Sequence, residues 1–165
     1  MPTTLFEAST PEDYAAFEQV LVLYEDWCRI RYESVPDRVD QNLDAEFAAL
    51  PQNYGPPKGV TLLAKHNGDV AGGVAYRDLG DGTCEMKRMY IQDDYQGHGI
   101  GRLLCQALIE HAATAGYQAM RLDVGVLNTE AIAMYERLGF HERDAYAYCP
   151  PDLAAHIRFM ERPLP

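Results

Sequence analysis

No run of apolar residues approaches the roughly 20 that a membrane-crossing helix requires. The first ten residues, MPTTLFEAST, have neither the basic nor the apolar region of a secretion signal. A cytoplasmic location, with no membrane partner, is therefore expected. The four cysteines, Cys28, Cys84, Cys105 and Cys149, form no CxxC pair and no metal-ligand spacing. They read as reduced thiols, three of them packed, and no metal site is expected. Basic residues are scarce as well: 14 Lys and Arg stand against 25 Asp and Glu, a formal net charge of −11. Nucleic-acid binding needs a basic face to displace phosphate counterions, so this balance argues against it. Repeats, low-complexity tracts and interdomain linkers are missing. Residues 1–165 are expected to form one domain, long enough to bury most of its apolar surface without staples.

What is present begins with an uneven distribution of acid. Residues 11–50 hold ten acidic side chains and three arginines, −7 of the −11. Two readings stay open: solvated helix faces, or a rim that attracts a cationic ligand. TLFEAS reads as a short first strand. Thr10 then offers an N-cap, Pro11 suits the first helical position, and acids fill the first turn. Apolar spacing holds a helix to about Tyr32, and ESVPD breaks it. A second helix is expected over about 40–50, followed by the loop PQNYGPPKG. Three strands come next, over about 60–66, 69–79 and 83–92. Asn67-Gly68 and Asp81-Gly82 mark tight turns between them, which predicts an antiparallel meander. A helix over about 99–115, ended by Gly116, has Ile100, Leu103, Leu104, Ala107, Leu108 and His111 on its apolar face. A strand over 119–124 and a helix over 128–138, stopped by Gly139, follow. A strand-helix-strand crossover of this length is expected to be right-handed with parallel strands. Residues 140–163 have room for two strands around the CPPD turn.

The segment DDYQGHGIGRLL raises the question of chemistry. Gly97, Gly99 and Gly101 alternate at the start of a strongly amphipathic helix, although each glycine costs about 1 kcal/mol relative to alanine in a helix interior. The first N–H groups of a helix lack intrahelical partners, and the macrodipole adds partial positive charge there. Removing side chains lets a phosphate or pyrophosphate approach those donors. The bland alternative is a turn that only caps a helix. The Walker pattern fails because Arg102 and Leu103 follow Gly101. The dinucleotide fingerprint fails because its third glycine falls on Arg102, and because the loop follows an antiparallel meander.

Gln96-Gly97-His98-Gly99-Ile100-Gly101, read as Q/R-x-x-G-x-G/A, resembles the acetyl-CoA signature of the GNAT superfamily of N-acyltransferases. CEMKRMYI before it is similar to that family's fourth strand. LNTEAIAMYERLGF is similar to its later motif, with Asn128, Tyr135, Gly139 and Phe140 at the recurring positions. The resemblance spans about 59–140. The N-terminal helices fit the family layout without a specific motif, and the tail after His141 fits only loosely. The resemblance implies an α/β (mixed α+β) GNAT fold: a mostly antiparallel sheet of six or seven strands, a splayed parallel pair at its centre, and flanking helices. It also implies that the pantetheine arm of acetyl-CoA lies in the splay along Met89, Tyr90 and Ile91. The amides of Gln96, Gly97, His98, Gly99, Ile100 and Gly101, with Arg102, would hold the pyrophosphate. Asn128 would bond the arm from the other side while capping the helix that follows it.

Lys87-Arg88 places charges on both faces of a strand that should be buried. Either a β-bulge re-aims the chain, as in the family, where such a bulge can direct an N–H at the thioester carbonyl, or long cations reach solvent past their neighbours. The implied reaction is attack of a neutral amine on the thioester. An alkylammonium has a pKa of about 10.4, so a base helps. Glu85, six residues before Ile91, matches the glutamate base of histone-type members. The alternative is a strand glutamate paired with Lys87 or a neighbour. Tyr135 matches the family acid that protonates the departing thiolate; the alternative is a tyrosine that only packs. His98 is expected to face solvent and His111 to be a satisfied interior residue. Cys105, on the mixed helix edge, has no nearby base, so direct transfer is expected rather than an acyl-cysteine. Tyr146 and Tyr148 either wall the acceptor pocket or occupy an edge strand.

The function implied is an N-acetyltransferase that moves an acetyl group from acetyl-CoA to a primary amine in a ternary complex. The partner would be a small amine, an amino acid, or a peptide or protein amine. A homodimer is an open alternative. The rival functions are a non-catalytic acyl-CoA-binding or regulatory module on the same fold, and a nucleotide-binding protein.

Overall fold

A computed structural model describes residues 2–33 and 43–165 of the chain. The strands of the described residues form one seven-stranded sheet in the order β1-β2-β3-β4-β5-β7-β6. In the chain, β1 (Thr3–Glu7) leads to α1 (Pro11–Arg31), α2 (Leu43–Ala48) and α3 (Leu50–Tyr54). The meander β2 (Val60–His66), β3 (Asp69–Gly80) and β4 (Thr83–Ile91) follows. After it come α4 (Ile100–Thr114), β5 (Ala119–Gly125), α5 (Thr129–Arg137), β6 (His141–Arg143) and β7 (Ile157–Pro163). Every pairing is antiparallel except β4 with β5.

The local chemistry explains most of these boundaries. Thr10 caps α1 through a capping box with Asp13, and Pro11 stands in the first turn. The two hairpin turns take positive φ at both central residues, 56° and 89° at Asn67-Gly68 and 54° and 77° at Asp81-Gly82. That is the twist that matches antiparallel strands. Along β2 the side chains alternate: Leu62 and Ala64 join the larger core with α4 and α5, and Leu63 joins the smaller core with α1 and α3. The sheet is therefore covered on both faces.

Two expectations change. The expected start of the second helix, at about residue 40, lies outside the described residues; within them a helix runs over Leu43–Ala48, and a further short helix, Leu50–Tyr54, replaces the start of the expected loop. Pro51 suits its first turn, and Leu50 and Tyr54, four residues apart, both bury. The Tyr54 hydroxyl donates to the Glu46 carboxylate and ties α3 to α2. On α4, Leu103 is 45% exposed, whereas Cys105 and Ile109 are buried beside Ile100, Leu104 and Leu108. The helix presents the stripe next to the expected one, because its packing against the sheet decides its rotation. Cys105 is thus a core residue rather than an edge one, and burial pushes its thiol up to about 12.

The feature that positions a site is the β4–β5 pair. Its parallel register covers only Thr83↔Ala119, Cys84↔Met120 and Glu85↔Arg121. Beyond those positions the strands diverge. On its other side β4 carries a β-bulge: Gly73 pairs with Tyr90, yet Ala75 pairs with Lys87, so β4 holds one extra residue. Arg88 sits there with a left-handed φ of 61°. A Cβ on Gly72 would meet the Tyr90 carbonyl oxygen at 2.4 Å, so β3 needs glycine where it passes the bulge. Of the two readings of Lys87-Arg88, the bulge is the observed one.

Candidate active site

The splay opens into a cleft of about 1300 Å³, lined by α1, β4, the loop before α4, β5, α5 and the segment around 147–159. At one end lies the start of α4. Its N-cap is Gly99, left-handed at φ 74°, with no side-chain cap and no acidic residue in the first turn. The first helical bond runs from the Leu103 N–H to the Gly99 carbonyl at 3.1 Å, so the amides of Ile100, Gly101 and Arg102 precede it. A Cβ on Gly97 or Gly99 would meet nothing within 4 Å, and on Gly101 it would approach Ile91, Met134 and Met89 only at 3.6–3.8 Å. The glycines are thus not demanded by crowding. They keep a patch of main-chain donors open, which fits a diphosphate.

Gln96 plays a different part from the one expected. Its N–H donates to the Asp93 carbonyl at 3.3 Å, so it is not one of the open donors. Its side-chain amide donates to the Ile91 carbonyl at 3.0 Å and to Asp93 Oδ1 at 3.2 Å, which pins the loop to the end of β4. His98 is exposed, does not line the cleft, and lies over His66 with ring centroids 4.9 Å apart. Gly97, Gly99, Ile100, Gly101 and exposed Arg102 all line it.

Along the β4 wall, Met89, Tyr90 and Ile91 line the cleft. The Tyr90 hydroxyl donates to Asp93 at 3.2 Å, and burial followed by that carboxylate pushes it up to about 12. Tyr24, Trp27 and Tyr90 pack as three rings at centroid distances of 5.5–6.4 Å. Arg88 is held by Glu25 of α1 at 3.2 Å and Glu46 of α2 at 2.6 Å. These charged contacts come from two elements and secure the left-handed residue of the bulge.

On the opposite wall, Asn128 is the N-cap of α5, but its side chain makes no capping bond. Its oxygen instead accepts from the Tyr32 hydroxyl at 2.5 Å. Dual service as cap and arm ligand is therefore not what this structure shows. Tyr32 presses so closely on the end of β5 that a Cβ on Gly125 would fall 2.0 Å from its oxygen. Tyr135 lines the cleft at 6% exposure, edge-on to Phe140. Burial raises its pKa well above 10.0, and Cys105, Tyr24 and Asp123 add to the effect.

Glu85 lies elsewhere. It is 3% exposed and is not among the residues lining the cleft. Both its oxygens are engaged, Oε1 by Arg77 Nε at 2.8 Å and Oε2 by the Tyr146 hydroxyl at 2.6 Å. Tyr146 in turn lies edge-on to Phe159, with Arg121 and Arg143 over its ring at 5.6 and 5.9 Å. Tyr146 thus anchors the C-terminal segment rather than walling the cleft. Tyr148 does line the cleft, at 81% exposure. His111 is satisfied, by Tyr76 at 2.8 Å and Glu7 at 3.1 Å. Glu25, Glu33 and Glu130 line the cleft from outside the sheet, and the carboxylate that the central strands bring to it is Asp123, between buried Leu122 and Val124 on β5. Its signal in the sequence was an acid in the middle of a strand that the crossover rule places at the centre of the sheet.

The sequence model of the acetyltransferase (GNAT) family matches residues 20–140. An uncharacterised N-acetyltransferase of Schizosaccharomyces pombe is 34% identical over 124 residues, 74% of this chain and 76% of that protein. An IAA acetyltransferase of Azospirillum brasilense is 32% identical over 148 residues, 89% and 92% of the two chains. Among solved structures, a candidate acyl-CoA N-acyltransferase from Klebsiella pneumoniae superposes with a TM-score of 0.75 at 27% identity, over 98% of this chain and 97% of the other. A GNAT-family acetyltransferase from Staphylococcus aureus gives a TM-score of 0.77 at 18% identity, over 99% and 100%, which speaks to the fold alone.

Proposed function

The chain belongs to the acetyltransferase (GNAT) family and is an acyltransferase, and from that premise we propose that it moves an acetyl group from acetyl-CoA to a primary amine by direct transfer in a ternary complex. The observation that carries this reading is a shared cleft: the uncapped, glycine-opened start of α4 and the buried Tyr135 both line it. When bound, acetyl-CoA supplies an activated thioester and a thiol leaving group. The amides of Gly97, His98, Gly99, Ile100 and Gly101, with Arg102, hold the pyrophosphate, and Gln96 keeps their loop in place. The backbone of Met89, Tyr90 and Ile91 binds the pantetheine arm from one side and Asn128 from the other. An N–H of the bulged segment stabilises the developing oxyanion.

Tyr135 protonates the leaving sulfur. Its burial keeps the phenol protonated at neutral pH, so it has a proton to give the departing thiolate. Because a thiol of pKa about 8.5 is the stronger acid of the two, the step is drawn forward only as a proton from the acylated amine returns to Tyr135. Glu85, with both oxygens occupied, serves in this reading as a positioning residue for Tyr146 and Arg77. The amine loses its proton to water or to a carboxylate within the cleft. In-line placement of both substrates supplies much of the rate.

The test pairs calorimetry of CoA binding with thiol release from acetyl-CoA over a panel of amines. Binding together with acceptor-dependent thiol release is expected. Binding without release from any acceptor would make the chain an acyl-CoA-binding module instead. Preferential binding of ATP or NAD over CoA would overturn the assignment of the loop.

A further inference from the structure

The geometry points to a zwitterionic acceptor, a free α-amino acid with an apolar side chain, held between Lys87 and Asp123 where β4 and β5 part. This inference rests on the acyl-transfer reading above and adds the substrate class. The parallel register ends at Glu85↔Arg121. Lys87 and Asp123 each lie two residues further on, so both project from the same face of the sheet as that pair. Both line the cleft. They are the first side chains on that face after the strands cease to bond, which is where a ligand can enter between them.

The charges on the neighbouring positions of β4 and β5 are already matched. Glu85 is held by Arg77, Glu161 by Arg121 and Arg143 at 2.6 and 2.8 Å, and Arg88 by Glu25 and Glu46. Among the described residues, the side chains of Lys87 and Asp123 form no ion pair or hydrogen bond, with each other or with a neighbour. Paired strands stand about 4.8 Å apart, and these diverge further. An ammonium and a carboxylate on one carbon atom can bridge such a pair, the first toward Asp123 and the second toward Lys87. A simple amine or polyamine offers Lys87 nothing, and a second cation there is repelled. A peptide N-terminus or a protein lysine lacks the adjacent carboxylate.

Asp123 and Tyr135 line the same cleft, so an ammonium bound to Asp123 opens on the space that the proposed acid borders. The C–N bond forms as the C–S bond breaks. Of the two protons that the ammonium gives up, one leaves to solvent through Asp123. The other replaces the proton that Tyr135 passes to the departing thiolate, which leaves as the thiol. The side chain of the amino acid has apolar lining to meet: Phe159, which pairs with Asp123 across β5 and β7, and Leu153 both line the cleft.

The test compares three acceptors that differ only at the carboxylate: L-leucine, L-leucinamide and isoamylamine. Thiol release is measured with the wild-type chain, Lys87→Met and Asp123→Asn, and the CoA affinity of each is checked by calorimetry to show that the fold is intact. In the wild type, kcat/KM for leucine should exceed that for leucinamide at least 10-fold. Lys87→Met should bring that ratio close to one by loss on leucine, mainly in KM. Asp123→Asn should lower kcat/KM for leucine and leucinamide alike, at least 10-fold. Equal or better turnover of the amide by the wild type, or a ratio unchanged by Lys87→Met, would overturn the proposal while leaving acyl transfer in place. Absence of thiol release with every amine, despite CoA binding, would remove the transfer reading and this proposal with it.

Discussion

Two helices of this protein begin in opposite ways. At α1 the Thr10 hydroxyl accepts from the Asp13 N–H at 3.1 Å, and the Asp13 carboxylate accepts from the N–H groups of Ser9 and Thr10 at 2.9 and 3.1 Å. Acids fill the first turn and proline occupies its start. At α4 the cap is a glycine, no side chain bonds back, the first turn has no acid, and Arg102 lies in it. The same orphan donors and the same dipole exist at both ends. One helix satisfies them from its own sequence, and the other leaves them without a side-chain partner, which under the proposed function is where the diphosphate binds. The lack of a side-chain cap is not itself the signal, since α3 and α5 also lack one; what sets α4 apart is a glycine-opened first turn that carries a cation and no acid.

The hardest way to break that contrast is to give α4 an acid of its own. Gly99→Asp should weaken CoA binding by more than 100-fold, about 2.7 kcal/mol by the usual conversion, as read by calorimetry. Because a side chain at this position meets nothing within 4 Å, the variant should still fold, at a small cost for a left-handed non-glycine residue. Undiminished affinity would mean that the start of α4 holds no phosphate. Tyr135→Phe asks whether what the open start holds is also placed for chemistry. About a 100-fold fall in kcat is expected, with CoA affinity unchanged, and intact turnover would remove Tyr135 from the acid role.

A third helix start lies between these extremes. Asn128 is a good capping residue that makes no cap, because its oxygen is taken by Tyr32. Asn128→Ala should weaken CoA binding about 10-fold and cost less stability than a true cap would. Thr10→Ala should do the reverse, losing about 1 kcal/mol of stability with CoA affinity unaltered; thermal melting beside calorimetry separates the two.

The smallest effect is electrostatic. Backbone N–H groups of Ser9 and Thr10 hold the Asp13 carboxylate below its usual 3.8, and bonds from Arg121 and Arg143 hold Glu161 below its usual 4.5. Folding keeps both ionised, so their contribution is complete above those ordinary values and fades as pH falls through the lower native ones. Melting temperatures at pH 7 and pH 3 should show the loss, and Asp13→Asn should show less of it than the parent chain. The start of α4, without an acid, adds nothing to this dependence.

The three strands of the meander could be read to within a residue or two because Asn67-Gly68 and Asp81-Gly82 dictate the turns that bound them. The glycine-opened start of α4 was equally legible as a backbone feature, since glycines at a helix start act within a few adjacent positions. The carboxylate that the central strands bring to the cleft was not. Glu85 and Asp123 are both acids inside central strands, and nothing local distinguishes them. Arg77 and Tyr146 close the first into the interior, and the divergence of β4 from β5 opens the second to the cleft. The rotation of α4, which buried Cys105 and exposed Leu103, likewise depended on the surface against which the helix lay.

By itself, then, the amino-acid sequence determined the caps, the hairpins, the glycine-opened helix and the GNAT motifs, because each depends on backbone preferences and side chains within a few residues of one another. Only the tertiary structure decided which charges are mutually neutralised and which face the cleft. That outcome depends on where the parallel register stops and on which distant elements pack across it, and neither is written into any short stretch of the chain.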